Sequence, residues 1–520
     1  MSILRASTII AVFLLISKIF GLVRELFIAA YFGAGYIADA YSVAYILPGF
    51  ALIMLGGLNG PFHSAILSII SKYLEKKDTE NSKIIINTII ILSILVMGAI
   101  TITGIILSPV IVKIIGPNLP VNTLKVATLQ FQIMMPMFLI SGLLGIYYGI
   151  LNLKNHFLMP ALSPIMASIA IIISLLLFHK TNPETILAYG TMLGAVFQLL
   201  LQFVPLLKPE LIKNISIKFD FAHKGVKEVI YILLPAVLSS TIGQINIIIS
   251  SFFASGLEEG SIAAFRYAND LIQLPLGVLL TALLVPLLPA MCISATKSDN
   301  YESLKNDINK SVRGILRITV FTMAILFSMG QPLIVILFQR GAFNERATSL
   351  TFSVLLYLTI SIVFYACRDL LVRVFYALGN AKIPFYCSLI SAFLYAYLNW
   401  LLYKPMGIAG ISLATSLVTV ISFFLLSYIL WRKIGVWWTK ETFKILLYSL
   451  LISLFIFVMG IGLNNIFFTA HDFVLKLCIC LGGLCVLTFF YGLGLVLLKD
   501  TEAKNLINYI FIKLRSRLGI

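Results

Sequence analysis

The sequence predicts an all-α polytopic membrane protein of about fourteen transmembrane helices, as two six-helix lobes plus a C-terminal helix pair. Three observations carry that expectation. The 520-residue chain is 60% hydrophobic and only 11% charged, with a mean hydropathy of +1.03, outside the range of soluble domains. Apolar runs of roughly 20 residues recur along its whole length, each long enough to cross a ~30 Å hydrocarbon core as a helix. Two stretches in the first half of the chain return in the second half at a nearly constant offset.

In chain order the runs cover 8–32, 38–62, 85–112, 126–151, 158–178, 187–207, 228–255, 263–291, 314–337, 350–372, 384–403, 407–431, 443–464 and 474–498. The first has a basic start like a signal peptide, but its length and internal charge mark it as retained. The second is expected to continue past His63 towards Lys72.

Lys and Arg counted in alternate loops set the orientation. With a cytoplasmic N-terminus, that side collects roughly 27 of the 38 basic residues and the opposite side about seven. The cytoplasmic set includes "KYLEKKDTENSK", "KPELIKNISIKFDFAHKGVK", "KSDNYESLKNDINKSVR" and the tail "KDTEAKNLINYIFIKLRSRLGI". An even number of spans returns the C-terminus to the cytoplasm. The formal net charge of +17 is thus spread over short loops, where topology and anionic headgroups account for it, and no nucleic-acid partner is expected. Cys292, Cys367, Cys387, Cys478, Cys480 and Cys485 lie in or beside predicted helices without metal-ligand or CxxC spacing, and read as buried thiols.

"GAGYIADAYSVAYILPGF" (33–50) set over "GSIAAFRYANDLIQLPLGV" (260–278), at an offset of about 227 residues, superposes Gly33 on Gly260, Asp39 on Arg266 and Leu47–Pro48 on Leu274–Pro275. A weaker match pairs "LKNHFLMPAL" (153–162) with "LGNAKIPFYCSL" (378–389). The expected division is an N-terminal lobe over 1–222, a C-terminal lobe over 223–440, and an appended pair with a cytoplasmic tail over 441–520. Two such lobes suit alternating access, with substrate held near the midplane.

Charges inside a membrane helix cost about 2.5–3.5 kcal/mol each, so those present call for a polar cavity or a partner. Lys18, Arg24 and Glu25 all lie in the first span. Lys18 and Glu25 share a face but stand about 10 Å apart along the axis. Arg24 is about 120° round from Lys18, so the three are expected to find partners elsewhere, with Asp39 a candidate for one of them. In the eighth span Arg266 and Asp270, four apart, suit a pair on one helix face, with Asn269 and Gln273 adding hydrogen-bonding capacity.

Lys18, Arg24 and Arg266 are the candidate substrate-binding residues. Glu25, Asp39, Asn59, Asn269, Asp270 and Gln273 are candidates for cavity or gating roles, and His63 for packing. Cations in a membrane cavity suit an anionic substrate, and Arg grips phosphate through its planar fork of donors. A lipid-linked diphosphate fits, its headgroup in the cavity and its tail in the bilayer. With no phosphate loop and five scattered His, no catalytic residue, metal or cofactor is expected. The drive would be the membrane potential, an ion gradient or product removal.

The stretches "SKIFGLVRELFIAAYFGAGYIADAYSVAYILP", "GILNLKNHFLMPALSPI", "YANDLIQLPLGVLLTALLVPLLP" and "RVFYALGNAKIP" resemble the MurJ/MviN family, the lipid II flippases of peptidoglycan synthesis, within the multidrug/oligosaccharidyl-lipid/polysaccharide exporter superfamily. The resemblance covers the first twelve spans in order. It implies fourteen helices, a V-shaped cationic cavity between two lobes, a lipid-tail groove in the C-terminal pair, and undecaprenyl diphosphate bearing a disaccharide-pentapeptide as substrate. It also implies residence in the cytoplasmic (inner) membrane, with membrane lipids and cell-wall synthesis enzymes as partners.

Arg24 and Asp39 match family positions, and Lys18 stands where members usually have Arg. The chain also departs from the pattern, as a divergent member. Leu52, Ile53 and Gly57 replace Arg, Arg and Glu, and "YANDL" replaces "YADRL", with Arg266 one turn earlier as a candidate substitute. Ser250 and Asn380 stand where acids are usual, which argues against a sodium site. The competing readings are a flippase for another polyprenyl-diphosphate glycan, an exporter of an unrelated small molecule, or a scaffold that binds without translocating.

Overall fold

A backbone inside hydrocarbon must satisfy its own N–H and C=O groups, and the predicted apolar runs accordingly fold as helices. The computed structural model describes residues 3–57, 60–154, 156–207, 218–279, 285–297 and 300–497. Among them are nineteen α-helices and one π turn, with no strand. Asn59, part of the basic loop 208–217, and the tail from 498 onward lie outside the described residues.

The chain forms two compact units, Met1–Arg266 with Arg340–Asn344, and Tyr267–Gln339 with Glu345–Ile520. Unit 1 contains α1 (Ile3–Phe32), α2 (Tyr36–Phe50) running into a π turn (Ala51–Leu55), α3 (Pro61–Glu75), α4 (Thr79–Ile106) and α5 (Ser108–Ile115). It continues with α6 (Val121–Met134), α7 (Met137–Leu153), α8 (Leu158–Phe178), α9 (Ile186–Leu206), α10 (Lys224–Ala254) and the first turns of α11 (Ser261–Leu279). Unit 2 holds the rest of α11, α12 (Val285–Ala295), α13 (Glu302–Phe338), α14 (Glu345–Thr359), α15 (Ser361–Ala377), α16 (Lys382–Met406), α17 (Ile408–Ile434), α18 (Lys440–Thr469) and α19 (Phe473–Leu497).

Ten helices among the described residues are long and apolar enough to cross a membrane, or eleven if α14 and α15, bent by 46°, count as one span. The expected fourteen is not confirmed. The shortfall falls on the first, seventh and eighth runs.

The second run also differs from expectation. It does not continue as one helix past His63 but breaks after the π turn, and α3 starts afresh with Pro61 in its first turn. A Cβ on Gly56 would lie 2.8 Å from the Ser141 carbonyl oxygen, so the break runs close against α7. Leu52 and Ile53, two of the positions where the family pattern has charge, stand on this π turn.

Helices in a bilayer gain little from hydrophobicity alone and pack through small residues instead. On α9, Gly190 and Gly194 let the helix approach α8 until a Cβ would meet the Ile171 and Ala167 Cα atoms at 3.1 and 2.7 Å. The core of unit 1 gathers Ile66 and Ile70 of α3, Ile85 and Ile89 of α4, Ile146 of α7 and Val229 of α10. In unit 2, α18 and α19 pack on α13 through Met329, Ile456, Leu487 and Tyr491. There Tyr491 stacks on Phe321 at 4.4 Å and donates to the Arg317 carbonyl at 2.7 Å. Cys367, Cys387 and Cys480 are buried, but Cys292, Cys478 and Cys485 are exposed, so only half of the predicted thiols are interior. The last two lie on α19, a membrane-spanning helix, where an exposed thiol faces lipid as an apolar group.

Candidate functional site

Glu25 organises the charges of α1. Its side chain is 4% exposed, and Oε1 accepts from Arg24 Nε at 3.1 Å and Arg24 Nη2 at 2.7 Å. Oε2 meets Nη2 of Arg266, from the start of α11, at 3.1 Å. The expectation that Arg24 and Glu25 would seek separate partners is therefore corrected. Neighbouring residues leave a helix about 100° apart, but a guanidinium on its long flexible stem folds back to the adjacent carboxylate. Arg266 bridges 241 positions back along the chain to Glu25.

Tyr41 of α2 forms the floor beneath this cluster. Its ring lies 5.1 Å from the Arg266 guanidinium carbon, a cation–π contact. The Thr191 hydroxyl donates to the Leu187 carbonyl at 2.7 Å, so the Tyr41 hydroxyl, 2.9 Å away, is the donor to Thr191. Lys18, about 9 Å before Arg24 along α1, is half-buried and makes no ion pair among the described residues.

Asp39 does not pair with any of these cations through a hydrogen bond. Its buried carboxylate accepts from the backbone N–H groups of Gly260 at 2.6 Å and Ala263 at 2.8 Å. These are the N-cap and third-residue donors of α11, both satisfied by a carboxylate from a different helix, where the helix dipole favours negative charge. The relation is reciprocal. Glu259, just before α11, accepts from the Tyr36 N–H that opens α2, at 2.9 Å.

Close backbone contact makes room for the exchange. Gly33 and Gly260 have φ of +57° and +92°, and a Cβ on either would lie 2.4 Å from the Ala342 oxygen or 2.2 Å from the Ala34 oxygen. Ala342 N–H donates to the Ala30 carbonyl at 2.8 Å, tying segment 340–344 to the end of α1. Gly33 and Gly260, which superpose in the sequence match, thus occupy the same left-handed turn before a helix, and Pro48 and Pro275 each sit inside the helix that follows. Asp39→Ala is expected to lower stability by about 2 kcal/mol by orphaning two N–H groups, with Asn retaining part of it. Thermal unfolding in lipid nanodiscs measures this, and an unchanged midpoint for Ala would refute the capping role.

Asn269, Asp270 and Gln273 are half-buried on the part of α11 that belongs to unit 2, where Gln273 shares a hydrogen bond with Tyr365. His63 packs as expected, hydrogen-bonded to the Asn152 amide nitrogen at 2.8 Å and edge-on to Tyr148. Ser250 donates to the Asn246 carbonyl at 2.8 Å. Among the described residues no three His, Cys, Asp or Glu gather as a metal site.

Sequence reasoning passed over Glu259, Tyr41, Arg368 and Asp369. The last two lie inside the tenth predicted run, and the test for charge within a span that found Lys18 would have found them.

The family model described as "Lipid II flippase MurJ" matches residues 28–481. A protein of Synechocystis sp. named "Probable lipid II flippase MurJ" is 39% identical over 440 residues, covering 82% of this chain and 81% of its own. Among solved structures, a lipid II flippase MurJ in an inward closed conformation matches with a TM-score of 0.76 at 24% identity, covering 95% of this chain and 99% of its own. An inward-facing multidrug resistance MATE family transporter of the MOP superfamily matches with a TM-score of 0.70 at 15% identity, covering 81% and 94%. Both structures speak to the fold, and it is the family model and the Synechocystis relative, each spanning most of a multi-pass membrane chain, that show this chain to belong to the MurJ lipid II flippase family.

Proposed function

We propose that this chain moves lipid II, undecaprenyl diphosphate bearing a disaccharide-pentapeptide, from the inner to the outer leaflet of the cytoplasmic membrane. Lys18, Arg24 and Arg266 hold the diphosphate within a cationic cavity during alternating access. The observation behind this reading is a gathering of cations. Arg24 and Arg266 converge on Glu25, with Lys18 half-buried on the same helix as Arg24, while both oxygens of Asp39 are occupied by backbone N–H groups. Cations gathered at membrane depth favour an oxyanion, and guanidinium forks suit phosphate.

The protein acts as a transporter and not as an enzyme, using the lipid-linked diphosphate as cargo, membrane lipids as surroundings and cell-wall synthesis enzymes as partners. Both termini face the cytoplasm, following the basic loops. The lobes are 1–222 and 223–440, with 441–520 appended. Asp39 and Glu259, by cross-capping α2 and α11, act as a gate at that end of the helices, and Asn269, Asp270 and Gln273 contribute polar lining. No cofactor is required, and the membrane potential or an ion gradient supplies the drive. Sodium is disfavoured because Ser250 and Asn380 stand where the family pattern has acids.

The test is translocation of lipid II in proteoliposomes by wild type, Lys18→Ala and Arg24→Ala at matched reconstitution. Each variant is expected to be slowed about tenfold or more, the loss of one charge-assisted contact in transit. Wild-type inactivity on lipid II, with activity on another polyprenyl-diphosphate glycan, would overturn the substrate and keep the transport reading.

A further inference from the structure

We propose that Arg368 is a further anion-binding residue, carried by unit 2, that receives an oxyanion of the cargo headgroup, either phosphate or peptide carboxylate. The proposal rests on the flippase reading above. Three charges, Arg368, Asp369 and Arg373, lie on α15, which together with α14 is long and apolar enough to enter a membrane, with a 46° bend between the two. Two of them neutralise each other, since Arg373 Nε donates to Asp369 Oδ2 at 3.1 Å, one turn apart.

Arg368 has no such partner. Its Nε donates to the hydroxyl of Ser422 on α17 at 2.9 Å, and it makes no ion pair among the described residues. Nε is the inner nitrogen of the guanidinium, so this bond fixes the plane of the group and leaves the terminal fork, the part that matches an oxyanion, uncommitted.

The surroundings hold that geometry. Ser422 is 2% exposed. Phe364, one turn before Arg368, packs against Phe423, the neighbour of Ser422, with ring centroids 5.7 Å apart. Tyr365 is tied to Gln273 of α11. Arg368 is half-buried and about 13 Å from the C-terminal end of α15, too deep for its side chain to place the charge at the helix end. A positioned, half-buried guanidinium without a counter-charge inside a span is costly in the empty protein, and an arriving oxyanion offsets that cost. Ser422 is a positioning residue that acts through Arg368.

The experiment uses the full chain in nanodiscs and measures binding of two probes, undecaprenyl diphosphate and complete lipid II, alongside lipid II translocation. Arg368→Gln is expected to weaken lipid II binding about tenfold, the equivalent of one charge-assisted hydrogen-bonding group. Arg368→Lys should recover part of it. Ser422→Ala should weaken binding less, and should add no further loss in the Arg368→Gln background, which a merely structural serine would do. Equal weakening for both probes assigns the oxyanion to phosphate, and weakening for lipid II alone assigns it to the peptide carboxylates. Wild-type affinity for both probes in Arg368→Gln overturns this proposal alone. If wild type neither binds nor moves lipid II, the flippase reading fails and takes the proposal with it.

Discussion

Glu25→Gln is expected to destabilise the protein by about 3–5 kcal/mol, the range for removing one partner of a buried ion pair. The carboxylate is the shared counter-charge of Arg24 and Arg266, whose side chains remain only 21% and 17% exposed. Neutralising it leaves two guanidinium groups around one position with no anion between them. A drop in the thermal unfolding midpoint in nanodiscs reports the loss. The double variant Glu25→Gln/Arg266→Gln should be more stable than Glu25→Gln alone, because it removes one of the two cations that lost the shared carboxylate. At the same time Glu25→Gln makes the site more positive, so diphosphate binding measured on the folded fraction should tighten while stability falls. Opposite movement of the two readouts separates a charge effect from general unfolding. Equal stability of wild type and Glu25→Gln would mean that Arg24 and Arg266 are balanced by other groups.

Gly260→Ala should cost about 3 kcal/mol or more, adding a steric clash to backbone strain that by itself reaches 1–3 kcal/mol. The residue has φ +92°, and the new methyl would sit 2.2 Å from the Ala34 oxygen, a backbone atom that cannot swing aside. Relief requires the 33–35 turn and the start of α11 to separate, which also pulls Gly260 and Ala263 away from Asp39. Gly21→Ala is the internal control, because a Cβ there meets nothing within 4 Å. A scan of hydrogen exchange at the first turns of α2 and α11 reads the effect. Faster exchange at both in Gly260→Ala, and at neither in Gly21→Ala, is the expected result. Wild-type protection in Gly260→Ala would show that the contact yields at little cost.

The membrane class, the run positions and the charged residues of α1 were legible because composition and 20-residue periodicity are local properties. The partners were not. Helical geometry put Lys18 and Glu25 on one face of the first span and Arg24 on another, yet it treated side chains as pointing straight out, and so missed a guanidinium curling back to its neighbour. Arg266 reaching Glu25 spans 241 positions, and nothing in either local stretch specifies it. Asp39 was weighed only as a partner for cations. Its use of N–H groups depends on where another helix begins, which emerges from packing. The break at Gly56 was signalled by "GGLNGP", but apolarity on both sides of it masked the interruption.

The exchange of acidic caps between α2 and α11 has a kinetic corollary. Because Asp39 serves the start of one helix while Glu259 serves the other, moving the two apart strips N–H partners from both ends in a single step. Halfway positions gain nothing from either carboxylate and still hold the buried Gly260 and Ala263 donors away from water. Such an arrangement penalises intermediates more than end states, so separation at this end of the helices should be all-or-none, with a barrier that water entry lowers and dehydration raises.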